Sequence, residues 1–280
     1  MFRKVVVGVD GQTGGRDAIT LARQLVTRDG ELILANVQRS PGAEQSLDLL
    51  EKQRTSAQVD AQLKTLRNRS VGRGLHEYAE AEQADLLVVG SSHRGRVGRV
   101  FLGDDTRATL NGAPCPVALA SAGYVRSRHR LREIGVGYDR SAESELALAL
   151  GRRLAADAGA KLSLLEVLSL RTQDYLGGVY DLDDAIDRLV DDALTRLGAL
   201  RGVEPHAVYG VPSRELARYS DSVDLLILGS RDLGRTGRLI LGSTAQTLAR
   251  TSGCPLLVVG RSARTSTLGL DETVLQGVPD

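Results

Sequence analysis

The sequence predicts two α/β domains in tandem, each a doubly wound parallel sheet with helices on both faces. Three observations lead there. The segment Ala84-Asp85-Leu86-Leu87-Val88-Val89-Gly90 returns 139 residues later as Val223-Asp224-Leu225-Leu226-Ile227-Leu228-Gly229, and the same offset relates Gly103 to Gly242 and Cys115-Pro116 to Cys254-Pro255. A period that long describes duplicated domains, since solenoid repeats are far shorter. Each half also opens with short apolar, β-branched runs, as parallel strands covered on both faces require. Between these runs, apolar residues recur three and four apart, and the strand-helix alternation implies right-handed crossovers.

Taken in order, the first domain is placed at 1–122, a linker at 123–132, the second domain at 133–261 and a tail at 262–280. Lys4 to Val9 and Glu133 to Tyr138 read as first strands, followed by helices over Arg16–Thr27 and Ala142–Ala158. Glu31–Val37 and Lys161–Leu168 read as second strands, followed by long helices over Glu44–Arg67 and Asp181–Leu200. Asp10 and Asp139 lie 129 apart whereas the later landmarks lie 139 apart, so the second half carries a net ten extra residues, in or near Tyr175–Tyr180, expected to form a flap. Val203–Tyr209 makes a third strand in the second half. Asn68–Gly74 offers almost no strand material in the first, which predicts a shortened or missing third strand there. Both halves then share a short helix, a strand ending at Gly90 or Gly229, a glycine loop, a helix opening at Gly103 or Gly242, and a last strand after Pro116 or Pro255. The arginine-rich linker reads as solvated, and the Ser/Thr-rich tail, without periodicity, as mobile.

Composition narrows the function. A net charge of +1 supplies no field to hold nucleic acid or an acidic membrane, and 3% aromatics without tryptophan argue against base-stacking platforms. No signal peptide or membrane-spanning run is visible, so a cytoplasmic protein is expected. The two cysteines, each before a proline at the repeat position, read as small buried residues opening a strand rather than as a disulfide.

The glycine loop carries the chemistry. A strand that stops at glycine and passes through such a loop into a helix gathers free backbone N–H groups and a positive helix end in one place, which favours phosphate. In the second half Ser243 and Thr244 add hydroxyls at the helix start, and Arg235 or Arg238 stands ready to neutralise charge. The loop lacks the Gly-Lys-Ser/Thr ending of a P-loop. In the first half, Asp104 and Asp105 place carboxylates where a polyphosphate would sit, so that site is expected to be degenerate.

A strand ending in Asp10 or Asp139, this loop after the fourth strand, and a Cys-Pro-apolar last strand together resemble the universal stress protein family, in both halves. The resemblance implies Rossmann-like domains of the adenine nucleotide alpha hydrolase type, with five strands in the order 3-2-1-4-5. Nucleotide-binding members follow the fourth strand with G-x-x-G, nine residues, then G and S or T. The second half matches at Gly229, Gly242 and Ser243, with Asp232 at the second glycine. The first matches at Gly90 and Gly103, with His93 and Asp104 at the other two positions. By the same resemblance, Asp10 and Asp139 lie beside the adenosine portion, while Val37 and Val167 close the second strands against the adenine. It further implies that the two last strands face each other as an internal pseudo-dimer, and that two chains pair again as a homodimer.

The function expected is a stress-response regulatory module binding ATP or a related adenine nucleotide, with Mg2+ as its companion, through Asp139, Val167, Gly229, Arg235, Gly242, Ser243 and Thr244. The degenerate counterpart comprises Asp10, Val37, Gly90, Gly103 and Asp104. No resident metal site, nucleic-acid partner, membrane partner or catalytic set is expected. The rivals are a stress scaffold that binds proteins only and, more weakly, a slow ATPase. Plainer roles stand beside these: Asp10 and Asp139 as turn residues, Ser243 and Thr244 as helix caps, and Asp181, Asp183, Asp184, Asp187, Asp191 and Asp192 as an exposed helix face.

Overall fold

A computed structural model of the chain describes residues 1–39, 43–91, 104–126, 130–169, 182–230 and 238–260. The expected flap at 175–180, the tail, His93, Gly103, Asp232 and Arg235 lie outside the described residues. The first domain runs β1 (Phe2–Gly8), α1 (Thr13–Leu25), β2 (Val26–Gln38), α2 (Ala43–Ala57), β3 (Gln62–Arg67), α3 (Val71–Ala81), β4 (Leu86–Gly90), α4 (Asp104–Leu110) and β5 (Val117–Ala120). The second runs β6 (Glu133–Tyr138), α5 (Ala142–Ala158), β7 (Lys161–Leu168), α6 (Leu182–Gly198), β8 (Glu204–Tyr209), α7 (Pro212–Tyr219), β9 (Leu225–Ser230), α8 (Ser243–Thr251) and β10 (Leu256–Gly260).

All ten strands form one sheet, ordered β3-β2-β1-β4-β5-β10-β9-β6-β7-β8. Each half therefore has the 3-2-1-4-5 order, and the halves meet through their last strands. That junction is the antiparallel pair β5–β10, with Leu119 opposite Leu256 and Val117 opposite Val258. Period-2 side-chain alternation sorts the strand residues onto two faces. Val5, Val7, Leu86, Val88, Ile134, Val136, Leu225 and Ile227 belong to one buried cluster, and Val6, Leu87, Val89, Leu226, Leu228, Leu256 and Val258 to the other. Each cluster spans both domains, and each large aliphatic side chain buried this way contributes about 1.5–3 kcal/mol.

The duplicated Ala/Val-Asp-Leu-Leu segment has a structural cause beyond its apolar residues. Asp85 accepts hydrogen bonds from the N–H groups of Arg3 and Lys4, both at 2.9 Å, and Asp224 accepts from Arg132 and Glu133 at 2.7 and 2.9 Å. In each domain this carboxylate fixes the entry of the first strand beside the fourth. Cys115 and Cys254 are buried and free, and burial pushes both thiols up to about 12.

Three expectations are corrected. The first domain does possess its third strand: β3 lies at Gln62–Arg67, within the stretch assigned to a long helix, and pairs in parallel with Ile33–Gln38 of β2. The helix stops at Ala57 because Gln58 adopts a left-handed conformation, φ 51°, unusual for a residue with a Cβ and therefore without a glycine signal. β2 also begins earlier than expected, at Val26, with a bulge where the register slips between Phe2 and Lys4. The linker is not simply solvated. Tyr124 and Leu131 are buried, and Asp17 of α1 accepts from the N–H groups of Gly123 and Val125, both at 2.8 Å.

His76 of α3 is buried against α4, with Nε2 2.7 Å from the Thr109 carbonyl oxygen, which can only accept, so Nε2 carries the proton. Burial, chiefly, lowers its pKa from the ordinary 6.5, with Arg238 acting the same way and the Thr109 bond, Glu77 and Glu80 opposing. The unfolded chain thus binds a proton at a pH where the folded ring does not. The contribution of the neutral ring is fully present above pH 6.5 and is lost as pH falls below it. The stability advantage of the wild type over His76→Gln in urea unfolding is expected to shrink from pH 7.5 to about 5.5. A constant advantage across that range would contradict the assignment.

Candidate nucleotide site

The second-domain cavity forms at the carboxyl ends of β6, β7 and β9, where open α/β sheets bind ligands. Its volume is about 300 Å³ and its lining includes Asp139, Val167, Gly229, Gly242, Ser243 and Thr244. Six of the seven residues proposed for the second site from sequence are thus brought together. Arg235 falls outside the described residues. The floor is apolar, from Leu165, Val167, Leu216, Leu228 and Ala245, and the rim is polar.

Local sequence explains the rim. Asp139 follows β6 directly and accepts at Oδ1 from the Ser141 N–H at 3.1 Å and from the Ser141 hydroxyl, an Asx turn that swings the chain into α5. Ser141 caps that helix by accepting the Ser144 N–H at 3.2 Å. The plain turn role is therefore real for Asp139, and it holds the carboxylate at the cavity wall. At the opposite wall, Gly242 is the N-cap of α8 with φ −67° and ψ 165°, without a side-chain cap and without an acidic residue in the first turn. The first-turn N–H groups of α8 and the positive end of the helix therefore open beside the cavity. The hydroxyl of Thr247 donates to the Ser243 carbonyl, so it leaves that end untouched.

Glycines at the two walls serve different purposes. A Cβ on Gly229 would stand 2.5 Å from the carbonyl carbon of Glu143 in α5, so the glycine permits helix and strand to touch. A Cβ on Gly242 would meet none of the described residues within 4 Å. Its conformation is also one that any residue adopts, so packing within the described residues does not require glycine there.

The first-domain cavity is smaller, about 110 Å³, and is lined by Asp10, Val37 and Gly90 together with Asn36, Ser91, Asp105, Thr106 and Thr109. Asp10 repeats the turn, accepting the Gln12 N–H at 2.9 Å. Of the two carboxylates that the sequence placed here, Asp104 and Asp105, it is Asp105 that lines the cavity, and it pairs with Arg39. Both partners are exposed, so the pair offsets little of the carboxylate's repulsion toward an anion. Asp104 is exposed in the same acidic first turn of α4. Val71 and Leu75 approach this cavity from α3, as Pro212 and Leu216 do from α7 in the second.

Arg238, weighed from sequence as a phosphate ligand, is committed elsewhere: it binds Glu80 and the Gly112 carbonyl of the first domain. Leu165, Pro212, Leu216, Ser141 and Ser144 were not anticipated as lining residues. The serines were legible as a capping pair three residues apart; the apolar residues carry no signal separating them from core. Among the described residues, no group of His, Cys, Asp and Glu is arranged to hold a metal ion, and no helix is long and apolar enough to cross a membrane.

Comparison with known proteins bears on the whole arrangement. The chain matches the universal stress protein family model twice, over residues 1–121 and 130–260. A universal stress protein of Mycobacterium tuberculosis is 28% identical over 203 residues, covering 69% of this chain and 70% of the relative. One from Thermus aquaticus is 29% identical over 136 residues, 98% of its own length but 46% of this chain, as a single-domain counterpart would be. The crystal structure of a universal stress protein from Archaeoglobus fulgidus superposes with a TM-score of 0.65 at 17% identity, covering 93% of this chain and 99% of that one, a likeness of fold. With a family match in each half and a shared sheet that joins them, the chain belongs to the universal stress protein family as a tandem pair of its domains.

Proposed function

We propose that the second domain binds ATP or a related adenine nucleotide and that the protein acts as a regulatory module of the stress response. The observation that carries the reading is the start of α8: a first turn with no acidic residue and, among the described residues, no side-chain cap, opening on a cavity of about 300 Å³. The apolar floor suits a planar base and the helix end suits phosphate. Asp139 and Val167 would lie against the nucleoside, Gly229 and Gly242 under the loop, and Ser243, Thr244 and Arg235 against the phosphates. A magnesium ion arriving with the nucleotide would neutralise phosphate charge, held by the phosphates themselves and not by a preformed protein cage. The protein's own residues orient and enclose the ligand. The reading includes a cytoplasmic location and pairing of two chains.

The first domain would remain empty, because Asp105 lines its cavity where Thr244 lines the second. Titrating nucleotide-stripped protein with ATP in a calorimeter tests the reading. One site per chain is expected; no heat of binding, with the fold intact, would leave the scaffold reading, which the acidic start of α4 favours. A slow ATPase is the weaker alternative. Turnover that survives Ser243→Asp would have to come from another site.

Gly242→Ala adds a test at one methyl. Because no described residue crowds that position and its conformation is ordinary, urea stability should fall by no more than about 1 kcal/mol, the difference between glycine and alanine as an N-cap. ATP affinity should nevertheless fall, since the methyl occupies space at the cavity wall that no described residue fills. Unaltered affinity would place the ligand away from this wall.

A further inference from the structure

The lead-in to α8 does not stand on the second domain alone. Arg238 donates from Nη1 to the Gly112 carbonyl at 3.2 Å and pairs through Nη2 with Glu80 of α3 at 2.8 Å. The next residue exchanges backbone bonds with the turn after α4: the Leu239 N–H donates to the Ala113 carbonyl at 3.1 Å, and the Gly112 N–H donates to the Leu239 carbonyl at 2.7 Å. The Leu241 N–H donates to Oδ1 of Asn111 at 3.1 Å, while the Nδ2 of Asn111 donates back to the Arg107 carbonyl of α4 at 3.2 Å. Leu239 and Leu241 are themselves buried. Gly242, the N-cap whose following amides face the second cavity, comes immediately after this anchored run.

Gly112 has φ +92°, a conformation that strains any residue with a Cβ, so the turn is built to present its N–H and carbonyl outward. The first domain thus supplies every partner of the lead-in's backbone and guanidinium named above. Without them, the direction of the first-turn amides of α8 would have to be fixed at the moment of binding, at an ordering cost.

We propose that Asn111 and Glu80 of the first domain are positioning residues for the anion-binding end of the second-domain site. The duplicated first domain then serves its partner's site as a template, whether or not it holds a ligand. The proposal rests on the reading of the second site as nucleotide-binding. α4 also lines the first cavity through Thr106 and Thr109, so one helix touches the first cavity at its side and the second site's anchor at its end. By linkage, ligand in the second site would tighten the contact with Asn111.

The test uses the full chain, as wild type, Asn111→Ala, Glu80→Ala and, as a control remote from the lead-in, Glu51→Ala. Both Glu80 and Glu51 are solvent-exposed, so these two variants fold. Hydrogen exchange of amides 238–246 without nucleotide is read first, then the Kd for ATP. Losing one such bond is expected to weaken ATP binding about fivefold in Asn111→Ala and to accelerate exchange across 238–246, with Glu80→Ala in the same direction and Glu51→Ala unchanged. Unaccelerated exchange in both first-domain variants, or a wild-type Kd in both, overturns the proposal while leaving the site reading intact. A wild type that binds no ATP overturns the site reading and the proposal together.

Discussion

Gly90→Ala and Gly229→Ala will each destabilise the protein by about 3 kcal/mol or more. The cause is contact between main chains. A Cβ on Gly90 would lie 2.0 Å from the carbonyl oxygen of Gly14, and one on Gly229 would lie 2.5 and 2.6 Å from the carbonyl carbon and oxygen of Glu143. In both domains the end of the fourth-position strand touches the first helix, and neither backbone can turn aside as a side chain would. Relief requires α1 or α5 to move away from the sheet, opening cavities among Val88, Ile227 and their neighbours. Urea unfolding monitored by circular dichroism provides the check, with the lowered midpoint converted at constant slope. A loss under about 1 kcal/mol in both variants would show that helix and strand are not so closely apposed. The result also separates two meanings of glycine in these loops: Gly90 and Gly229 are required by the packing of helix on strand, whereas nothing among the described residues requires glycine at 242.

Ser243→Asp should move affinity and stability in opposite directions. A carboxylate in the first turn of α8 faces the positive helix end, which stabilises a helix by about 0.3–1 kcal/mol. The same carboxylate would stand beside bound phosphate. At 4 Å and an effective dielectric of 20, two like charges repel by about 4 kcal/mol, so even after screening at least about a tenfold loss of ATP affinity is expected. The substitution copies into the second domain the acidic start that α4 already has in Asp104 and Asp105. Calorimetric titration with ATP beside a thermal melt reads both effects. A variant that loses affinity and stability together would point to a damaged fold, and one that keeps its affinity would place the phosphates elsewhere.

Much of this was legible in the sequence because the chain repeats itself. The offset between Gly90 and Gly229, and between Cys115 and Cys254, located the fourth and fifth strands of both domains without reference to periodicity alone. Apolar runs identified β1, β6 and β7, because a strand buried on both faces leaves few other choices. β3 was missed because it is an edge strand with exposed and half-buried residues alternating, and because the preceding helix ends on Gln58 in a left-handed conformation that glycine would have advertised. Around the second cavity, Gly229, Gly242, Ser243 and Thr244 were recoverable from the glycine loop, and Asp139 and Val167 from the family resemblance. The anchoring role of Arg238 was not: its partners Glu80 and Gly112 lie more than a hundred residues away in sequence, in a domain expected to be passive. Asp105 rather than Asp104 lining the first cavity is a matter of helix phase, which residue type cannot reveal.

The central claim is that one duplicated copy retains a place for an anion at the start of its helix and the other does not. Native mass spectrometry of freshly purified wild type, beside Ser243→Asp, tests it most directly. One adenine nucleotide per chain in the wild type and none in the variant is the predicted outcome. A nucleotide retained undiminished in Ser243→Asp, or two per chain in the wild type, would contradict it.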